Sequence, residues 1–335
     1  MREYGWETSL TCTALDEETL VGTHIHTDEN EAIPPATGRQ GRGPGLRTEM
    51  IRCPQMSSIK YHGPSHKMLL TSREPDHSCG LYFFSPPVSE GRWLLGETNH
   101  YQRLSIRHRM RDEWLVHQST PAPASSPLLC VIGTNAGILR VRSNETMAWI
   151  SSHSGEGQQP REVFDQDFQT ANPNVLLAGG RQPRLWMTDL RTDAQWSYVK
   201  HASSITHLRS VNEHQVLVAG LQNSMSLYDM RYWGKEGRAN GQKPLVEFGG
   251  YRNEAHVHTG WDVDVRLGVV AAAQDDGTVK LFSLRSGRVL RSRGVEGVRK
   301  DRPVRAVQWM RWEGERGTSL WVGDGPSLRK FSFGD

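Results

Sequence analysis

Residues 216–231 read VLVAGLQNSMSLYDMR, and residues 176–191 read LLAGGRQPRLWMTDLR. The two stretches align without a gap at a shift of 40 residues. Each has an apolar run that ends in small residues, then a polar turn, then a second run that ends in Asp-x-Arg. A repeat of this period is typical of a series of like structural units rather than of two unrelated domains.

Apolar runs that end in small residues occur seven times along the chain. They are Leu20–Ile25, Met68–Ser72, Leu128–Gly133, Val175–Gly180, Val216–Gly220, Val269–Gln274 and Leu320–Gly323. The stretches that follow, such as Met225–Tyr228 and Val279–Phe282, alternate apolar and polar residues, and this alternation predicts strands with one buried face. Between two of these runs, Asp275-Asp276-Gly277 predicts a tight hairpin, because glycine tolerates positive φ.

Repeats of four short strands at about 40–45 residues indicate the blades of a β-propeller. The chain is therefore expected to be all-β, with residues 1–335 forming a single seven-bladed β-propeller. One blade for each apolar run gives the number seven. The Gly-, Pro- and Arg-rich segment 28–48 predicts a flexible loop.

Composition narrows the class of protein. A net charge of +3 over 335 residues does not support a nucleic-acid footprint spread over the surface. The four cysteines lie far apart, without a Cys-x-x-Cys pair, so they predict neither a zinc site nor a disulfide framework. No apolar run approaches the length needed to cross a bilayer. An intracellular protein, nuclear or cytoplasmic, is the expectation.

Catalytic motifs are missing from the sequence. There is no Gly-x-Ser-x-Gly motif, no phosphate-binding glycine loop before a helix, and no Cys–His arrangement with a suitable neighbour. The paired carboxylates Asp165 and Asp167 have no catalytic context. The histidine pairs His24-x-His26 and His256-x-His258 lack a third ligand, so no metal site is predicted. We expect no enzyme activity and no cofactor; a propeller enzyme with a central-channel site is the alternative in that class.

The blade pattern resembles the WD-repeat family, in which a strand ends in Trp-Asp. The corresponding positions here read Thr188-Asp189, Tyr228-Asp229, Phe282-Ser283 and Phe331-Ser332, so the chain resembles a divergent member. The resemblance implies a non-enzymatic scaffold that binds other proteins.

A narrower resemblance covers Ile205 to Phe333. The segments Phe248–Glu254, Gly268–Ala271, Leu281–Leu284 and Arg288–Arg291 follow one another there, before a final unit from Pro303 to Asp324. This succession is similar to the cullin-4 associated factor family, to its fourth member and fungal relatives, which dock on damage-specific DNA-binding protein 1. It implies a substrate receptor of a cullin-4–RING E3 ubiquitin ligase. A general WD-repeat scaffold of another complex, without a ligase link, is the alternative.

The two Asp-x-Arg tripeptides are the residues that this resemblance marks for adaptor binding. It implies that Arg191 and Arg231 contact the adaptor, while Asp189 and Asp229 orient them. An arginine is always charged and can donate paired hydrogen bonds to carboxylates or carbonyl groups. A purely structural role, in which each pair caps a turn, is the other interpretation. Arg285 follows Ser283 rather than an aspartate and is left out of the predicted site.

Overall fold

A computed structural model describes most of the chain. The described ranges are 8–14, 19–26, 48–52, 56–73, 79–85, 88–89, 92–93, 102–106, 115–150, 159–192, 195–233, 243–311, 317–324 and 327–332. The predicted loop 28–48 lies outside them except for Thr48, which begins a strand. The chain divides into two compact units, residues 1–132 with 141–147 and residues 133–140 with 148–335.

Antiparallel sheets make up the first unit. Its four-stranded sheet has the order β4-β5-β6-β9, and a three-stranded sheet β1-β2-β3 and a hairpin β7-β8 accompany it. The strands are β1 (Thr8–Ala14), β2 (Thr19–His26), β3 (Thr48–Arg52), β4 (Met56–His62), β5 (Lys67–Arg73), β6 (Cys79–Phe84), β7 (Val88–Ser89), β8 (Arg92–Trp93) and β9 (Gln102–Ile106).

The four-stranded sheet β10-β11-β12-β13 contains residues that belong to each of the two units. Its strands are β10 (Val116–Pro121), β11 (Leu128–Thr134), β12 (Gly137–Arg142) and β13 (Met147–Trp149).

The second unit continues with four sheets, in which successive strands are hydrogen-bonded neighbours. The first three have four strands and the last has three. The strands are β14 (Val163–Gln169), β15 (Asn172–Gly180), β16 (Arg184–Asp189), β17 (Trp196–Lys200); β18 (Ile205–Ser210), β19 (Gln215–Gly220), β20 (Met225–Asp229), β21 (Val246–Glu247); β22 (Trp261–Asp264), β23 (Val269–Ala273), β24 (Val279–Ser283), β25 (Val289–Leu290); β26 (Val307–Met310), β27 (Ser319–Asp324) and β28 (Ser327–Ser332).

The prediction of seven blades is wrong, because the described residues form six. Five are the four-stranded sheets, and the sixth is β26-β28, which packs on the blade before it through a core that joins Leu281 to Leu320 and Val322. The seventh apolar run, Leu20–Ile25, lies in the separate three-stranded sheet β1-β2-β3, which is not one of these six blades. An apolar run predicts a strand, but it does not say whether the sheet around that strand becomes a blade.

Six of the seven runs form the second strand of a blade, and most of their residues are buried. Val216–Gly220 is an example, because every one of its residues is buried. Each fully buried Val or Leu side chain contributes about 1.5–3 kcal/mol to stability. Short turns close the hairpins beside these strands: Gln222 and Asn223 both adopt positive φ, and Gly277 has a φ of +75°.

Candidate docking site

The first Asp-x-Arg tripeptide forms the turn after β16. Oδ1 of Asp189 accepts the backbone N–H of Arg191 at 2.9 Å, and this bond closes the turn. The guanidinium then folds back on the same carboxylate, with Nε 3.0 Å from Oδ1 and Nη2 2.6 Å from Oδ2. Leu190, between them, donates its N–H to the carbonyl of Asn174 at 2.8 Å. One aspartate therefore fixes both the backbone and the side chain of the arginine.

The second tripeptide repeats this geometry after β20. Oδ1 of Asp229 accepts the N–H of Arg231 at 3.0 Å and its Nε at 3.0 Å, and Oδ2 accepts Nη2 at 2.6 Å. Met230 donates its N–H to the carbonyl of His214 at 2.6 Å, as Leu190 does in the other turn. Here the turn continues into a 3-10 helix, Met230–Tyr232. The sequence repeat of 40 residues is thus also a repeat of side-chain geometry.

Electrostatics keep both pairs ionised. Hydrogen bonds from Arg191 lower the pKa of Asp189 to about 2, and those from Arg231 lower the pKa of Asp229. The same bonds raise the pKa of each guanidinium. Charge-assisted, two-point pairing of this kind also restricts the rotamer of the arginine.

Both arginines present their outer edge to solvent. The side chain of Arg191 is 63% exposed and that of Arg231 is 60% exposed. The aspartates differ, since the side chain of Asp189 is 28% exposed and that of Asp229 only 3%. Within the described part of the chain, the hydrogen bonds of each guanidinium leave from Nε and Nη2 to its aspartate. Nη1 of each therefore remains available to donate to another molecule.

The two turns belong to adjacent blades and lie at the same end of their sheets. Each follows the third strand of an antiparallel sheet, so both face the same way. Trp233, two residues after Arg231, donates from Nε1 to Oγ of Ser197 on β17 at 3.0 Å. This bond links the second turn directly to the blade that carries the first.

A shared core and a set of backbone bonds hold these two blades together. Leu177 and Leu185 of one blade are buried in the same cluster as Val216 and Met230 of the other. Carboxylates of β14 also reach the backbone of β18: Asp165 accepts the N–H of Leu208, and Asp167 that of Ser210, each at 2.8 Å. The paired aspartates seen in the sequence are thus structural. The spacing between Arg191 and Arg231 is fixed by the fold.

An open depression of about 450 Å³ lies beside Arg231. Its other lining residues form the turn between β18 and β19, Asn212 to Gln215. Oδ1 of Asn212 accepts the N–H of His214 at 2.9 Å and that of Gln215 at 2.8 Å, so the turn is well ordered by its own side chain. The depression can admit a side chain of a partner next to the arginine.

Arg285 occupies the corresponding turn after β24, and it is exposed. Ser283 stands where the two preceding blades have an aspartate, and a hydroxyl group cannot pair with a guanidinium in the same way. Ser283 therefore cannot fix Arg285 as the aspartates fix Arg191 and Arg231.

A buried polar network around Tyr228, which precedes Asp229, was not predicted from the sequence. Nδ1 of His201 lies 2.9 Å from the hydroxyl of Tyr228, and its Nε2 lies 3.1 Å from Oγ of Ser224. Burial lowers the pKa of His201 to about 4, so the imidazole is neutral at physiological pH. This network fixes the strand that ends in Asp229. The aromatic residue before Asp229 was the one available signal.

The described residues do not meet the requirements of a metal site or of a membrane-spanning helix. Among the described residues, no group of three or more His, Cys, Asp or Glu side chains is arranged to hold a metal ion. The side chains of His24 and His26 lie outside the described part of the structure. No helix within the described ranges is both long and apolar enough to cross a membrane.

Comparison with known proteins identifies the fold. No protein-family model matches the chain, and no curated protein matches it either. The structure is similar to the crystal structure of the WD40 beta propeller domain of Doa1, with a TM-score of 0.58 and 11% sequence identity. The match covers 99% of this chain and 95% of that one. The protein therefore has a WD40-type β-propeller fold.

Proposed function

We propose that this protein is a protein-interaction scaffold without enzyme activity and, more narrowly, a substrate receptor of a cullin-4–RING E3 ubiquitin ligase. In this proposal Arg191 and Arg231 dock on the adaptor, damage-specific DNA-binding protein 1, inside the cell. The WD40-type fold supports the broader part, since such propellers bind protein partners. The narrower part draws on the resemblance of residues 205–333 to the cullin-4 associated factors.

One observation carries the proposal. Two exposed arginines on adjacent blades are held in the same rotamer by the same bonds to an aspartate two residues earlier. A turn cap alone requires only that the aspartate accept the backbone N–H. The second, side-chain pairing adds nothing to that cap, but it reduces the rotamer entropy that each arginine loses on binding a partner.

Co-elution with the purified adaptor on size-exclusion chromatography tests the proposal. We expect a complex with the wild-type protein and none with the double variant Arg191→Ala/Arg231→Ala. Arg181→Ala is the matched control, because Arg181 is 66% exposed and also paired to a carboxylate, that of Glu162. It lies after β15, at the opposite end of the same sheet.

Two results would refute docking through these arginines: absence of a wild-type complex, or a double variant that co-elutes like the wild type. Absence of a complex would favour a scaffold of another assembly.

A further inference from the structure

The turn between β22 and β23 exposes two aliphatic side chains to solvent. Val265 is 43% exposed and Leu267 is 49% exposed. The turn is tightly built, because Oδ1 of Asp264 accepts the N–H of Arg266 at 2.9 Å and that of Leu267 at 3.0 Å. Gly268 follows with a φ of +64° and accepts the N–H of Leu284 at 2.8 Å. The aliphatic residues are therefore presented by a fixed backbone.

The preceding blade has the same turn with a different surface. There Asn212 takes the place of Asp264, and its Oδ1 accepts two backbone N–H groups in the same pattern. The exposed residues that follow it are Glu213 and His214, which are polar. The geometry of the turn is thus compatible with polar residues at its tip. The exposed aliphatic pair is a property of this blade and not a requirement of the fold.

The aliphatic turn lies on the same side of the molecule as the Asp-x-Arg turns. The aliphatic turn follows the first strand of its blade, and each Asp-x-Arg turn follows the third. The first and third strands of an antiparallel sheet run in the same direction, so these turns lie at the same end of their sheets. Val211, which precedes the Asn212 turn, packs in one cluster with Val263 and Leu284. The Asn212 turn in turn lines the depression beside Arg231. The Asn212 turn therefore neighbours both Arg231 and the blade that carries Val265.

We infer that Val265 and Leu267 form a second anchor of the docking face, and that its occupant is the partner that binds Arg191 and Arg231. This inference rests on the proposed function. The matching partner surface has carboxylate or carbonyl groups opposite the arginines and an apolar hollow opposite the aliphatic turn. Arg266, exposed between Val265 and Leu267, adds a positive charge to this face. It therefore favours a partner with acidic groups at the rim of the interface. Apolar anchors beside charged groups are the usual composition of an interface core and its rim.

The adaptor affinity of a polar double variant tests the inference. Val265→Thr/Leu267→Asn keeps the size of both side chains and removes their apolar character. We expect the dissociation constant for purified damage-specific DNA-binding protein 1 to rise about tenfold, since the contact area lost is apolar. The slope of affinity against salt concentration should stay at its wild-type value, because no charge has been removed.

Leu245→Asn/Val289→Thr is the matched control, since Leu245 is 49% exposed and Val289 is 42% exposed. These residues lie next to or within the outer strands β21 and β25. The control should bind like the wild type, and thermal unfolding should show that both double variants are folded. If the tip variant misfolds, Val265→Ala/Leu267→Ala takes its place.

The inference fails by itself if the tip variant binds like the wild type while Arg191→Ala/Arg231→Ala does not. It also fails if the control loses as much affinity as the tip variant. If the wild type does not bind the adaptor, the proposed function fails, and the second anchor fails with it.

Discussion

At the scale of single residues, the aspartate determines what the exposed arginine can do. Without a partner, a long arginine side chain samples many rotamers and loses that freedom on binding. Asp189 and Asp229 remove much of this loss in advance, because each accepts both the backbone and the guanidinium of its arginine. The pairing is thus better suited to presenting the arginine than to stabilising the fold.

The difference in burial between the two aspartates leads to a prediction. The side chain of Asp229 is 3% exposed, against 28% for Asp189. Asp229→Ala should therefore lower the urea midpoint of unfolding more than Asp189→Ala, because it leaves the N–H of Arg231 in a less hydrated turn. Equal midpoints for the two variants would contradict this reasoning.

The burial of His201 leads to a prediction of how stability depends on pH. Its pKa is about 4 in the folded protein and 6.5 in the unfolded chain, so only the unfolded chain gains this proton between these values. The free energy of unfolding should then fall as the pH falls from 6.5 to 4, by about 3 kcal/mol in total. Above pH 6.5 both states are neutral at this residue and the contribution is constant.

Urea unfolding at several pH values, in the wild type and in His201→Gln, measures this dependence. Burial also lowers the pKa of His258, which adds to the slope with the same sign and stays in both proteins. The difference in slope between the two proteins belongs to His201. A variant with the wild-type slope would show that His201 is not the titrating group.

At the scale of turns and strands, sequence patterns predicted some elements and missed others. The hairpin at Asp275–Gly277 was predicted, because glycine marks a position of positive φ, and Gly277 has this conformation. The conformation of the turn between β19 and β20 was not predicted. This turn has positive φ at Gln222 and Asn223, without a glycine to mark it. Hydrogen bonds from this turn to Asn253 and Glu254 hold it, and such tertiary contacts are not visible in local sequence.

Gly268 and Gly277 have similar backbone conformations but different surroundings. Their alanine variants therefore distinguish backbone strain from steric exclusion. A Cβ on Gly277 would lie 1.8 Å from the carbonyl oxygen of Lys300, whereas a Cβ on Gly268 would meet nothing within 4 Å. Gly268→Ala should cost about 1–2 kcal/mol from positive φ alone. Gly277→Ala should cost more, since Lys300 must also move.

Denaturant titration of both glycine variants gives the comparison. Gly249→Ala is the control, because Gly249 has neither positive φ nor a neighbour within 4 Å of an added Cβ. A Gly277→Ala protein as stable as Gly268→Ala would show that the segment at Lys300 yields freely.

At the scale of the whole molecule, the class of fold was predictable and the number of blades was not. Alternating apolar runs specify strands, and their period specifies blades. The run Leu20–Ile25 satisfies the same pattern, yet it lies in the separate sheet β1-β2-β3, outside the six blades. Pairing between strands far apart in the sequence decides this outcome, and a single strand pattern contains no information on it. The assignment of residues 1–335 to one propeller stays a prediction.

Contacts between blades lead to a prediction about the free energy of unfolding. Asp165 and Asp167 each accept a backbone N–H from the next blade. The double variant Asp165→Ala/Asp167→Ala leaves both N–H groups without these acceptors, which should lower the free energy of unfolding by about 2–4 kcal/mol. Guanidinium unfolding followed by tryptophan fluorescence measures the change. A stability within experimental error of the wild type would mean that these bonds do not couple the blades.

In the proposed function, two arginines fixed on adjacent blades bind the ligase adaptor. Isothermal titration calorimetry with purified damage-specific DNA-binding protein 1 measures this binding. We predict that Arg191→Ala and Arg231→Ala each raise the dissociation constant about tenfold, and that the double variant raises it about a hundredfold if the two contacts are independent. Arg181→Ala should leave it at the wild-type value. No wild-type binding, or a double variant that binds as tightly as the wild type, would contradict the claim.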